Sequence, residues 1–259
     1  MCLIVFAYRQ HPGYRLVMAG NRDEFLDRPT APLGYHFPGE TIVAGRDLRG
    51  GGTWLALAGD GRLAAITNYR DPRRLLPSSP SRGEIIVDYL RSGLSAARYL
   101  GKLAVRAADY NGFNLLLGDG QTLFHFSNIS AQATLLAPGL YGLSNQLLDT
   151  PWPKVVRVKA LFRQALGAGP VIDREAIFTL LADAQRPEDE LLPDTGVGRR
   201  QERLLSTIFI HSPEYGTRSS TLLTIADKGT AELCERSYRH QGEAEVAGER
   251  CFQLQLGGP

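Results

Sequence analysis

At 259 residues, with 43% hydrophobic and 22% charged side chains, the chain has an ordinary globular composition; disordered and fibrous classes are excluded, and one domain over 1–259 is expected. Lys and Arg number 29 against 27 Asp and Glu, a formal charge of +2, and no basic cluster is interleaved with aromatic residues, so nucleic acid is not an expected partner. Three cysteines, Cys2, Cys234 and Cys251, form no CxxC pair and are odd in number, so no disulfide framework is expected.

Taken in chain order, residues 3–8 and 16–20 are short apolar runs around His11-Pro12-Gly13-Tyr14, the pattern of an opening hairpin. The N-terminal run lacks a basic region and is too short for a signal peptide, and no stretch has transmembrane length. With the unpaired cysteines, this points to the cytoplasm. Segments 41–47, 53–58 and 62–68 continue the strand pattern, with Gly59-Asp60-Gly61 as a tight turn. The period then changes: Ser81-Arg82-Gly83-Glu84 has capping-box spacing ahead of an apolar helix, and a second helix is predicted from Ser95 to Asp109.

Strand pattern returns at 113–118, 122–127, 133–136 and 140–144. One helix is predicted from Pro153 to Leu166 and another around Ile177 to Ala184; 186–200 reads as a long loop. Strands follow at 207–211, 221–225, 231–238 and 251–256. Two strand blocks with two helical pairs between them predict two antiparallel sheets packed face to face with helices outside, an α+β four-layer αββα sandwich.

Most catalytic signatures are missing. There is no GxxxxGK[ST], the histidines at 11, 36, 125, 211 and 240 never fall at HxxxH spacing, and Gly142-Leu143-Ser144-Asn145-Gln146 lacks the second glycine of a nucleophile elbow. No metal site is expected. Gly50-Gly51-Gly52 leads into a strand and predicts a tight bend.

Cys2 becomes N-terminal if Met1 is removed; an α-amine with a reference pKa of roughly 7.7–8.0 then serves as general base for its own thiol. With Met1 retained, that self-activation is blocked. The bland alternative is a small apolar residue opening a strand. Strand 16–20 runs straight into Asn21-Arg22-Asp23-Glu24, and the hairpin brings its end back towards Cys2. Arg22 could stabilise a thiolate while Asp23 or Glu24 holds an ammonium; the alternative is a solvated charged strand end. Asn68 and Asn145 each end an apolar strand and are candidate oxyanion donors, although Asn also suits turns. Arg218 is a candidate cation for an anionic substrate group, with Asn21 beside it at the substrate-binding end. Trp54 and Trp152 are expected to be core anchors rather than site residues.

Met1-Cys2-Leu3-Ile4, Ala19-Gly20-Asn21-Arg22-Asp23-Glu24-Phe25, Gly52-Thr53-Trp54, Thr67-Asn68-Tyr69-Arg70, Gly142-Leu143-Ser144-Asn145, Leu148-Asp149-Thr150-Pro151-Trp152-Pro153-Lys154 and Tyr215-Gly216-Thr217-Arg218-Ser219-Ser220-Thr221 resemble the NRDE family, also called the transport and Golgi organisation 2 family, over nearly the whole chain. The resemblance implies an N-terminal-nucleophile hydrolase-like fold, and haem trafficking and acyl-lipid homeostasis have both been proposed as the family's role. A more distant resemblance, to choloylglycine and penicillin V acylases, implies amide hydrolysis through Cys2, although Asn21-Arg22-Asp23-Glu24 departs from that group's Arg-x-x-Asp order. The two expectations are hydrolysis of an amide or thioester with no required cofactor, or non-catalytic binding of a hydrophobic anion such as haem or acyl-CoA, with Cys2 or His36 as a soft ligand. A homodimer is left open.

Overall fold

The computed structural model describes residues 2–167 and 169–257; Met1, whose removal matters to the reading of Cys2, lies outside them. One sheet contains β1 (Cys2–His11), β2 (Tyr14–Phe25), β10 (Gly139–Leu143), β11 (Tyr215–Ala226), β12 (Thr230–Gln241) and β13 (Glu243–Gln255), in the order β10-β1-β2-β11-β12-β13. The other contains β3 (Thr30–Tyr35), β4 (Ile42–Asp47), β5 (Leu55–Ala58), β6 (Leu63–Asn68), β7 (Phe113–Gly118), β8 (Leu123–Ser127) and β9 (Gln132–Leu135), in chain order. Every strand pair is antiparallel.

The near-continuous apolar runs of the inner strands follow from burial on both faces. In β1, Ile4, Phe6 and Tyr8 face the opposing sheet with Met18, Leu57, Leu116 and Leu223, while Leu3, Val5 and Ala7 face helices α3 (Pro153–Leu166) and α4 (Arg174–Leu181). In β6 and β7, Ala64, Ile66, Leu115 and Leu117 pack instead against α1 (Gly83–Arg91) and α2 (Ala96–Arg106). The four layers are those expected. Truncating a wholly buried ring such as Phe6 to Ala would cost about 3–5 kcal/mol.

Three expectations are corrected. Residues 207–211 are not a strand: Thr207–Ile210 are buried, but their backbone is paired irregularly, Phe209 N donating to the Asp183 carbonyl and Asn21 Nδ2 to the Ile208 carbonyl. Burial without a sheet neighbour produced a strand-like pattern. The predicted loop 186–200 carries a short 3₁₀ turn at Asp189–Leu191 and ends in α5 (Arg199–Leu204). Cys234 and Cys251, expected to stay unpaired, form a disulfide because the β12–β13 hairpin sets them directly opposite each other. Cys2 is then the free thiol among the described residues. No described helix is long and apolar enough to cross a membrane.

Candidate active site

Pairing of β1 with β2 sets Cys2 directly across from Arg22. Alternation along β2 then divides the Asn21–Glu24 string between two faces of the sheet. Asn21 points into the helical layer, where Nδ2 donates to the carbonyls of Leu181 and Ile208 at 2.8 and 2.9 Å and Oδ1 accepts from Ser220 Oγ at 2.6 Å. Its hydrogen bonds tie the sheet to that layer. Arg22 points to the inter-sheet side, its guanidinium 4.2 Å from the Trp54 ring centre and donating to Thr30 Oγ1 at 3.1 Å. Gly45 makes room for Trp54: a Cβ there would lie 2.2 Å from the indole.

A cavity of about 360 Å³ opens at this strand end, lined among others by Cys2, Arg22, Glu24, Trp54, Asn68 and Arg82. The Gly50-Gly51-Gly52 bend forms as expected, and Gly50 lines the cavity; Gly52 abuts Gly83 at the start of α1, where a Cβ would meet the Gly83 carbonyl carbon at 2.3 Å. Adjoining it, and sharing Glu24 and Asn68, is a more apolar groove of about 610 Å³ with Phe25, Val197, Leu204, Leu205, Pro213 and Tyr215. Trp54 therefore lines the cavity, contrary to the expectation that it is only a core anchor; Trp152 is buried under the Arg70 guanidinium, 5.0 Å from its ring centre.

Burial pushes the Cys2 thiol above its ordinary pKa, with Asp23 and Glu24 adding to the shift and Arg22 opposing it. A neutral buried thiol needs a base to become a nucleophile. Asp23, also buried, accepts Thr217 Oγ1 at 2.8 Å; burial raises its pKa and Lys154 opposes the rise. Glu24 accepts the Phe25 amide at 2.9 Å and has Arg28 Nε at 3.8 Å. Opposite this point β11 bulges, Thr217 pairing with Asp23 and Ser219 with Arg22, so Arg218 is the extra residue.

Arg218 consequently leaves the cavity: Nη1 donates to the carbonyls of Phe25, Leu26 and Arg28 at 2.9, 3.1 and 3.0 Å, fastening that loop. Asn145 is wholly buried, its amide donating to the Asn68 carbonyl at 3.0 Å and its oxygen accepting from Arg70 at 3.3 Å. Asn68 itself lines both cavities. His36 is engaged with the Pro32 carbonyl at 2.6 Å and is not among the residues lining the Cys2 cavity. Cys2, Arg22, Asp23, Glu24 and Asn68 are thus brought together, whereas Asn21, Asn145 and Arg218 serve as ties around them. Among the described residues no three His, Cys, Asp or Glu side chains converge as a metal site.

Sequence reasoning missed a second buried cluster behind Asp23. Arg70 forms a buried ion pair with Glu202 at 2.8 Å, and Glu202 also accepts the Thr195 amide at 2.8 Å. Lys154 is fully buried, and burial, with Arg70 adding, lowers its pKa to about 7 while Asp23 opposes the fall. Lys154 carried a signal: it lies in the first turn of α3, where the helix dipole disfavours a cation. Arg70 and Glu202, 132 residues apart, carried none.

The fold and site together define a four-layer αββα sandwich with Cys2 at the end of an inner strand, where Arg22, Asp23 and Glu24 line the same cavity. The profile of the transport and Golgi organisation 2 family matches residues 1–240, and the chain belongs to that family. It is 35% identical to the Transport and Golgi organization protein 2 homolog of Bos taurus and 34% to that of Homo sapiens, in each case over 92% of this chain and 93% of the relative. Among solved structures, a mutant of the conjugated bile acid hydrolase from Clostridium perfringens superposes with a TM-score of 0.48 at 10% identity, covering 99% of this chain and 97% of that one.

Proposed function

We propose that the chain cleaves an amide or thioester through Cys2, with the acyl part in the apolar groove and an anionic part in the arginine-lined cavity. The carrying observation is the position of the free Cys2 thiol, opposite Arg22 in a cavity that shares Glu24 and Asn68 with an apolar groove. In this reading the Cys2 α-amine, exposed by loss of Met1, takes the thiol proton. Sγ adds to the carbonyl carbon, the C–N or C–S bond breaks, and the leaving amine or thiol receives that proton. Water then adds to the Cys2 thioester, returning thiol and carboxylic acid. Asp23 and Glu24 are suited to holding the α-ammonium, and Asn68 to donating to the oxyanion.

Intact mass before and after a thiol-directed acylating probe, with Cys2→Ala as control, tests this. Loss of Met1 with one Cys2-dependent adduct supports it; retained Met1, or labelling indifferent to Cys2→Ala, sinks it. The second reading is non-catalytic binding of a hydrophobic anion such as acyl-CoA or haem. It is favoured by the same pairing of an apolar groove with Arg22, Arg28, Arg49 and Arg82, and predicts stoichiometric binding without turnover. On either reading the partner is a small molecule.

A further inference from the structure

Away from the Cys2 cavity, His211 and His240 meet where the segment after α5 passes the tip of the β12–β13 hairpin. Their Nδ1 atoms are 3.0 Å apart, the ring planes differ by 12°, and the ring centres are 5.2 Å apart. Ring centres so much farther apart than the nitrogens, in nearly parallel planes, mean that the rings lie edge to edge with the two Nδ1 atoms facing head-on. The other ring nitrogens are both committed. His211 Nε2 lies 2.7 Å from the Gly242 carbonyl oxygen and His240 Nε2 2.8 Å from that of Thr217. Carbonyl oxygens only accept, so both Nε2 atoms carry hydrogen.

A neutral imidazole has one N–H. If both rings were neutral, both Nδ1 atoms would present lone pairs to each other at 3.0 Å with nothing between them. The contact therefore calls for one further proton. A transition metal does not suit it: with metal–nitrogen bonds of about 2.0–2.1 Å, head-on ligation needs nitrogens about 4 Å apart. An N–H···N hydrogen bond, at about 3 Å, does.

We propose that His211 and His240 share a proton, and that the pair is a pH-sensitive clip fastening the β12–β13 hairpin tip to one wall of the apolar groove. His240 is the more enclosed ring, stacked at 16° on Phe209 and packed against the backbone of Gly216. Burial holds its pKa below the ordinary histidine range, the bond to Thr217 opposing and the charges of His211 and Arg218 adding. His211 is the exposed partner, and in the shared bond His211 Nδ1–H donates to His240 Nδ1. The charged residues nearest the pair along the packed elements are Arg239, Glu243 and Glu245 on the hairpin, Glu214 after His211, Arg218 on β11 and Glu24, which pairs with Gly216, on β2.

The clip reaches the groove through a short path. Ser212 follows His211, its Oγ donates to the Tyr215 carbonyl at 2.6 Å, and residues 212–215 all line the groove. When the shared proton leaves as pH rises, the facing lone pairs repel, one ring swings away and the 211–215 segment is released from the hairpin. Release of this wall as control of acyl entry rests on the reading of the Cys2 site; the clip itself does not.

Hydrogen exchange of the whole protein between pH about 5.5 and about 8, corrected for intrinsic rates, tests the clip. Protection of the amides of His211, Ser212, Glu214 and Tyr215 and of 240–243 should fall about tenfold as pH rises, the loss of one charge-assisted hydrogen bond. Imidazole nitrogen spectra at the acidic end should show both Nε2 atoms protonated and one proton shared between the Nδ1 atoms. In His240→Gln, and in His211→Gln on the exposed side, protection should be low and flat with pH. Independent titration of the two rings, unchanged protection, or the wild-type profile persisting in either variant overturns the proposal. The Cys2→Ala protein should keep the full pH response, so failure of the nucleophile reading and failure of the clip are separate results.

Discussion

The Arg70 cluster and the Cys2 cavity are built from the same kinds of residue at neighbouring strand ends, yet their polar groups are used differently. Arg70 gives Nη1 to Glu202 and Nη2 to Asn145, and Asn145 in turn binds the Asn68 carbonyl, so the polar groups at the ends of β6 and β10 bind one another. Arg22 is as deeply buried, but rests on Trp54 and Thr30 with no carboxylate at ion-pair distance among the described residues, and it faces a cavity with Cys2. Arg70 thus has its charge paired inside the protein, whereas Arg22 keeps its charge beside a cavity, as the proposed anion-binding role requires.

The strongest test of this contrast is Cys2→Ala, which we predict abolishes acyl-probe labelling and lowers any turnover by at least about 10³-fold while changing unfolding free energy by less than about 1.5 kcal/mol. Glu202→Ala should do the opposite. It strands the Arg70 guanidinium in the interior, so denaturant unfolding should show a loss of about 3–5 kcal/mol. A stable Glu202→Ala protein would break the distinction between the two clusters.

Lys154 lies between them and adds a pH dependence. Its pKa is about 7 folded against 10.5 for the free side chain, so between these values the unfolded chain binds more protons. Stability should therefore rise with pH from about 7 towards about 10, and Lys154→Met should flatten that slope in denaturant titrations across the range. A slope unchanged by the substitution would remove Lys154 as its source. The smallest effect is predicted for Arg22→Lys, which keeps the charge but loses the planar stacking on Trp54. Affinity for an acyl-CoA probe should weaken about tenfold by calorimetry, with little change in stability. Unaltered binding would detach Arg22 from the ligand.

The contrast also separates what could be read in sequence from what could not. Period-2 and period-3.6 patterns placed the strands and both helical pairs, because a layer sandwich buries whole faces and leaves its mark on every residue of an element. The Pro-containing edge strand β3 escaped, since TAPLGY is only partly buried, and Thr207–Ile210 misled because they are buried without pairing. Cys2 and Arg22 were legible together because one hairpin joins them and its register follows from local pairing.

Sequence by itself determined the four-layer architecture and the meeting of Cys2 with the Asn21–Glu24 string, which rest on local period and short-range pairing, and the family, which rests on the resemblance of its ordered motifs. Tertiary structure alone decided which polar residues are ties and which face the cavity. Asn145, Arg218 and Asn21 turned to carbonyls from distant segments, Glu202 reached Arg70, and His211 met His240. Such contacts depend on the direction of a side chain after two sheets and a bulge are assembled, and no local pattern in the chain encodes that direction.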